Sequence, residues 1–362
     1  MRVGIDTRFY SLEPTGIGRY TYELCLRLKN YSKLELVLFL NKNSPMLNDI
    51  NFEHCEKVII KEKKLSFIEL FSLDRHIDEA NLDIFHTPSF IIPFFKTVKT
   101  VVTIHDLIHI KCKDDFGLLH SLYYNFFVKR GCLSADHIIT VSENSKKDLV
   151  NWLKKDNISV IYNAVSDIFK PKVGITELFH QFEIDHRKFI LYTGNNRPNK
   201  NLYRLLQAYQ LAKDEDENFP DLVLTCKPDN QMKTFIEDHI LTDSVKFIGN
   251  VSDDELLMLY SYCLFFVFPS YYEGFGIPVL EAMSCGCSVA VADSSSIPEV
   301  SGEAGLYFDP FDINDIKKAL QMLCYNLDLR KELRERSLSR SKRFSWDKAT
   351  EETYKIYKSL ME

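Results

Sequence analysis

The sequence predicts an α/β protein built from two doubly wound, Rossmann-like domains, and three observations lead there. A length of 362 residues exceeds one ordinary core and suits two domains of about 150–200 residues each. Short apolar runs of strand length alternate with helix-length amphipathic segments, which means βαβ units and parallel sheets. The alternation pauses at a polar stretch around Lys170–Gly174 and then restarts, so there are two such blocks.

In the first block, strands are expected at Val3–Ile5, Leu34–Leu40, Asp83–His86, Thr100–His105, His137–Val141 and Ile158–Tyr162. The helices between them include Gly18–Leu28, where Tyr20, Leu24 and Leu28 fall at offsets of four on one face. Ser142 suits the N-cap of the helix that follows it. In the second block the strands are Phe189–Thr193, Leu222–Thr225, Val245–Ile248, Leu264–Phe268, Ser288–Val291 and Gly305–Phe308. The last segment, Trp346–Leu360, has a helical pattern and no strand to pair with. No low-complexity tract or solenoid repeat interrupts this order.

Composition narrows the function classes. Hydrophobic residues at 45% and charged residues at 27% are ordinary for a globular chain and argue against disorder. A formal net charge of −6 supplies no basic field for nucleic acid, which is therefore not an expected partner. The nine cysteines are scattered, with no C-x-x-C; Cys285 and Cys287 form the one close pair. They read as buried thiols of a reducing compartment rather than a disulfide frame or zinc site. The start, Met1–Asp6, is a strand pattern without an export signal. No run approaches the roughly 18 apolar residues of a membrane span. A cytoplasmic location is expected.

The strongest chemical signal is Tyr272-Glu273-Gly274-Phe275-Gly276-Ile277-Pro278-Val279-Leu280-Glu281-Ala282-Met283, directly after the apolar strand Leu264–Phe268. Glycines at 274 and 276 mark a loop, and Pro278 suits the start of a helix. Glu273 is thus expected on a loop, Gly274–Ile277 in a turn and Glu281 in the first helical turn. Amides at such a turn point at anions, and the helix dipole reinforces them, so a diphosphate can lie there. Glu281, an acceptor-only group, suits a ribose diol, and Glu273 suits sugar hydroxyls. A second signal is Tyr192-Thr193-Gly194-Asn195-Asn196-Arg197-Pro198-Asn199-Lys200-Asn201, where Lys and Arg can neutralise phosphate oxygens. Two further segments are weaker. Pro14-Thr15-Gly16-Ile17-Gly18-Arg19-Tyr20 brings glycines to a helix start, although such glycines are as often plain turn residues. Val101–Asp106 ends a strand in His105, which faces whatever lies beyond the strand's carboxyl end. His86 and His109 read as structural. The only D-x-D string, Asp214 and Asp216, sits in a solvated charged loop, so no metal site is expected.

The Glu273–Glu281 segment resembles the E-x7-E signature of retaining GT-B glycosyltransferases of family 4. Val245–Gly249 with Asp254-Glu255-Leu256, Pro298-Glu299-Val300 and Gly305–Phe308 extend the resemblance over nearly the whole chain. It implies a GT-B fold: an acceptor-side domain at 1–168, a donor-binding domain at 169–346, the two facing across a cleft, and residues 347–362 crossing back onto the first. It implies that Lys200, six residues after Gly194, binds the donor diphosphate. Where the family often has arginine directly after that glycine, this chain has Asn195, and Arg197 is the nearest replacement. The resemblance further implies that His105 and Glu273 serve catalysis at the donor sugar. By the same resemblance Gly16, Gly18, Phe275, Gly276, Ile277 and Glu281 line the donor and acceptor sites.

The implied reaction is transfer of a hexose with retained configuration, without metal or other cofactor, by front-face attack assisted by the leaving phosphate. The pairing of Gly16–Tyr20 with Thr103–Leu107 most resembles mannosyltransferases of bacterial surface polysaccharide. GDP-mannose is accordingly the expected donor, and a saccharide or lipid-linked saccharide the acceptor. The alternatives are a UDP-sugar donor, an epimerase or phosphorylase on the same scaffold, and a non-catalytic nucleotide-sugar-binding subunit. One membrane question follows from Tyr123-Tyr124-Asn125-Phe126-Phe127-Val128-Lys129-Arg130 and from the lysines in Lys57–Lys64. Such stretches are commonly half-buried helix faces. The other reading is peripheral docking on anionic lipid at the inner face of the membrane.

Overall fold

The computed structural model describes residues 1–12, 15–62, 67–93, 97–172, 182, 184 and 188–362. Pro14, Lys63, Lys64 and the end of the polar stretch at 173–174 lie outside the described residues. The chain divides into two compact units, Met1–Ala164 with Ser345–Glu362, and Val165–Phe344.

The first unit holds a seven-stranded, all-parallel sheet. Its strands are β1 (Arg2–Asp6), β2 (Glu35–Asn41), β3 (Glu56–Ile60), β4 (Ile84–Thr87), β5 (Lys99–Ile104), β6 (His137–Thr140) and β7 (Ile158–Val160). They lie in the order β3-β2-β1-β4-β5-β6-β7. The interior strand β1 is buried from Val3 to Asp6, as a strand covered on both faces must be. Register is set by Val3 opposite Leu36 on one side and Ile84 on the other. The helix Gly16–Leu28 turns Tyr20, Leu24, Cys25 and Leu28 into the core. Thr15 caps it, accepting from the Gly18 amide at 3.3 Å. Ser142 caps Glu143–Leu153, accepting from Ser145 at 3.0 Å. The final helix, Trp346–Met361, belongs to this unit. Trp346 meets Tyr20 edge-on at 5.7 Å, and Arg27 reaches Asp347 at 2.9 Å.

One strand of this sheet is absent from the sequence reading. The segment Glu56-Lys57-Val58-Ile59-Ile60 pairs with β2 at the sheet edge. Its outer positions are partly exposed and carry charge, as edge strands commonly do, so no long apolar run announces it.

The second unit is a six-stranded parallel sheet made of β8 (Phe189–Tyr192), β9 (Asp221–Leu224), β10 (Val245–Phe247), β11 (Phe265–Phe268), β12 (Val289–Ala292) and β13 (Gly305–Phe308). The spatial order is β10-β9-β8-β11-β12-β13. Counted within the unit, this is the 3-2-1-4-5-6 order of doubly wound folds. The strands β8, β11 and β12 are buried at every position. The helix Asp253–Tyr262 opens with a reciprocal capping box between Ser252 and Glu255, which satisfies two otherwise orphaned donors. It packs Tyr260 into the core, fully buried.

Candidate functional site: two loops at the switch point of the second sheet

In a doubly wound sheet, ligands bind beyond the carboxyl ends of the strands where the chain order reverses. In the second unit that point lies between β8 and β11, and the two glycine-containing loops of the sequence leave from those strands. They are zipped together. The Tyr271 amide donates to Asn199 O at 3.0 Å, and Asn199 Nδ2 donates to Tyr272 O at 3.0 Å. Asn201, in the left-handed region at φ 60°, donates to Pro269 O at 3.1 Å.

This zipper brings Lys200 and Glu273 together. Lys200 Nζ lies 2.5 Å from Glu273 Oε1, and the two side chains are only 15% and 14% exposed. Ser270 Oγ donates to the same oxygen at 2.5 Å. The Glu273 main chain is held too: Ser295 Oγ and Ser296 Oγ donate to its carbonyl at 2.7 and 3.0 Å. The ammonium also sits 5.3 Å from the centre of the Phe268 ring. A nearly buried cation that is paired and held over an aromatic face has few rotamers left. Its position is therefore narrowly defined.

The turn after Glu273 leads into the helix Ile277–Ser284. Gly276 stands at its N-cap with φ 102°, and a Cβ there would come within 2.7 Å of Ile297 Cδ1. Pro278 has no N–H, and the Val279 and Leu280 amides return to Gly276 O. Among the described residues the amides of Gly276 and Ile277, at the helix entrance, have no backbone acceptor. Phe275 is buried and meets Phe344 edge-on at 5.6 Å. Because the helix begins at Ile277, Glu281 lies in its second turn and not the first. Glu281 is 7% exposed, and its carboxylate accepts from Tyr260 Oη at 3.1 Å. Tyr260 in turn contacts Thr193 Oγ1 at 2.7 Å. Arg197, on the same loop as Lys200, is exposed.

The remaining expected residues lie in the first unit. His105 follows β5, its ring edge-on to Tyr20 at 4.9 Å. Its Nε2 is 3.2 Å from Pro88 O, and Ser145 Oγ donates to its carbonyl at 3.1 Å. Burial draws its pKa down to about 4 against the opposing pull of the Pro88 carbonyl. Beneath it runs a buried chain of hydroxyls and imidazole. Tyr20 Oη meets Thr103 Oγ1 at 3.3 Å, Thr103 meets His86 Nε2 at 2.8 Å, and His86 Nδ1 meets Tyr357 Oη at 2.5 Å. His86 is accordingly packed and bonded at both nitrogens, its pKa pulled to about 3 by burial and by neighbouring His105. Gly16 opens the first helix. At Gly18 a Cβ would lie 2.6 Å from Phe9 O, so close backbone approach already requires that glycine.

Sequence reading missed Tyr260, Thr193 and Ser270, whose spacing is that of core and turn residues. It also missed Asp6 and Arg8, a fully buried ion pair at the carboxyl end of β1 with Nε–Oδ1 2.8 Å and Nη2–Oδ2 2.7 Å. The string D-x-R directly after a strand was the available signal. Asp216 of the D-x-D string accepts from Tyr325 at 2.6 Å on the surface.

Comparison with known proteins gives the family and the fold. Residues 14–167 match the model described as Glycosyltransferase Family 4, and residues 175–340 match Glycosyl transferases group 1. The O-antigen chain mannosyltransferase B of Escherichia coli is 30% identical over 99% of this chain and 100% of that protein. Among solved structures, sucrose-phosphate synthase from Thermosynechococcus elongatus superposes with TM-score 0.79 at 20% identity, covering 100% of this chain and 99% of that one. Anabaena HepE in complex with UDP-glucose superposes with TM-score 0.78 at 15% identity, covering 99% and 100%. Two parallel α/β units of this order are the GT-B architecture, and the chain belongs to the family 4 glycosyltransferases.

Proposed function

We propose that this glycosyltransferase moves mannose from GDP-mannose, with retained anomeric configuration, onto a saccharide or lipid-linked saccharide in bacterial surface polysaccharide synthesis. The observation that carries the reading is the Lys200–Glu273 pair, 2.5 Å apart and nearly buried, beside the Gly276–Ile277 helix entrance. Breaking a glycosyl bond leaves charge on the departing diphosphate. A fixed ammonium and preset amides stabilise that charge most as it develops, which is where catalysis gains. In this reading Lys200 takes the diphosphate, with Arg197 adding charge from the exposed edge of the loop. Glu273 orients the sugar hydroxyls and Glu281 accepts from the ribose. His105, neutral at working pH, contacts the sugar as a hydrogen-bonding group and not as a cation. No covalent nucleophile is invoked; the leaving phosphate takes the acceptor's proton in front-face attack. Gly16 and Gly18 admit donor phosphate and acceptor at the first helix, and Phe275 shapes the turn. No metal is required.

The full-length similarity to O-antigen chain mannosyltransferase B supports mannose as the sugar. A UDP-sugar donor is the second reading, favoured by the likeness to HepE bound to UDP-glucose. The test is incubation with GDP-mannose or UDP-glucose and an α-mannosyl oligosaccharide in EDTA, with the product's anomeric coupling read by NMR. An α-linked mannoside supports the proposal. A β-linked product, or transfer from UDP-glucose alone, contradicts it.

Membrane contact is part of the proposal. Leu119, Leu122 and Phe126 are 80%, 42% and 69% exposed. They recur at helical spacing in the segment from Leu118 to Ser134, whereas Tyr124 and Val128 face the core. Arg130 adjoins them in sequence and is exposed. Apolar side chains edged by a cation suit the interface of an anionic bilayer. Among the described residues no helix is long and apolar enough to cross one.

A further inference from the structure

In the proposed function Glu281 accepts from the ribose, and a buried carboxylate can do that only if its oxygens are aimed. Glu281 is 7% exposed and sits in the second turn of the helix Ile277–Ser284, where a neighbouring element holds one of its oxygens. Tyr260, on the helix Asp253–Tyr262, is 1% exposed and donates its single hydroxyl hydrogen to Glu281 Oε2 at 3.1 Å. With that hydrogen spent, the 2.7 Å contact to Thr193 has the threonine as donor and the tyrosine oxygen as acceptor. Thr193 is the residue before Gly194, where the loop that carries Lys200 begins. A three-member chain, Thr193 to Tyr260 to Glu281, thus runs from the root of the phosphate loop to the ribose carboxylate.

We infer that Tyr260 is a positioning residue that orients Glu281 toward the ribose diol and ties that orientation to the Thr193–Lys200 loop. The inference rests on the proposed role of Glu281. Burial and the Glu281 charge hold the phenol far above its ordinary pKa, so it remains a donor throughout the working pH range. Removing the hydroxyl leaves the ring in its packing, edge-on to Phe266 at 5.5 Å. It also takes one donor away from the carboxylate.

The experiment is calorimetric titration of the full chain with GDP or UDP, whichever binds tighter, and with the matching 2′,3′-dideoxynucleotide. Tyr260→Phe is expected to weaken the ribonucleotide about tenfold, as loss of a hydrogen bond to a charged group does. The dideoxynucleotide, which offers Glu281 no diol, is expected to bind the variant and the parent equally. Donor KM should rise while kcat changes little, because the ribose does not react. Equal loss for both nucleotides, or no loss for either, overturns the inference. Thr193→Val reads the other end of the chain should Tyr260→Phe fail to fold, with a smaller loss again confined to the ribonucleotide. Glu281→Gln separates the premises. If it leaves ribonucleotide affinity intact, the ribose assignment itself fails; if it weakens affinity while Tyr260→Phe does not, only the positioning role fails.

Discussion

Glu273 Oε1 accepts from both the Lys200 ammonium and the Ser270 hydroxyl at 2.5 Å. Two donors on one oxygen leave the carboxylate strongly directed. The loops that carry Lys200 and Glu273 were legible in the sequence because each follows a strand and contains a glycine. Tyr260 was not, since a buried tyrosine on a helix has the same spacing whether its hydroxyl is structural or aimed at a site. The paired histidines make a separate prediction. His86 and His105 have folded pKa values of about 3 and 4 against 6.5 unfolded, so between those values the unfolded chain binds more protons. Stability is therefore complete above pH 6.5 and is lost as pH falls toward 4, by on the order of 4 kcal/mol for His86 alone. Urea midpoints measured from pH 8 to pH 4 should fall steeply in the parent and less in His86→Gln compared with its own value at pH 8. Parallel curves would show that His86 does not carry the effect.

At the scale of elements, the turn into the helix Ile277–Ser284 is the most constrained piece of the site. Gly276 combines φ 102° with a neighbour that would lie 2.7 Å from any Cβ. Gly276→Ala should cost about 1–3 kcal/mol for the backbone conformation and should weaken nucleotide binding by shifting the Ile277 amide. A melting curve and a titration on the same sample check both, and a variant with unchanged melting and affinity would count against a preset helix entrance. The sequence announced this turn through Gly274, Gly276 and Pro278. It placed Glu281 at the end of the first turn rather than the start of the second, because the helix start cannot be read to a single residue from a Gly-x-Pro pattern. It also passed over β3, where charge at a sheet edge masks the apolar alternation.

At the scale of the molecule, two parallel sheets with the switch point between β1 and β4 in one and β8 and β11 in the other account for where the conspicuous motifs lie. Strand–helix alternation alone predicted two doubly wound units, because that periodicity is set by burial and is written in every strand. Which sugar is moved is written in side chains that converge from distant loops, and periodicity carries no trace of it. The exposed Leu119, Leu122 and Phe126 lead to a prediction for the whole chain. It should sediment with anionic vesicles at low salt, and Leu119→Ser/Phe126→Ser should shift most of it to the supernatant. A parent protein that stays in the supernatant would exclude docking.

In the proposed reaction Lys200 grips the donor's diphosphate, and calorimetric titration of GDP and GMP into the parent and into Lys200→Ala decides whether it does. The variant should lose about 10- to 100-fold in GDP affinity, the weight of a charge-assisted contact, with little change for GMP, which lacks the second phosphate. Equal GDP affinity in the parent and in Lys200→Ala would contradict it.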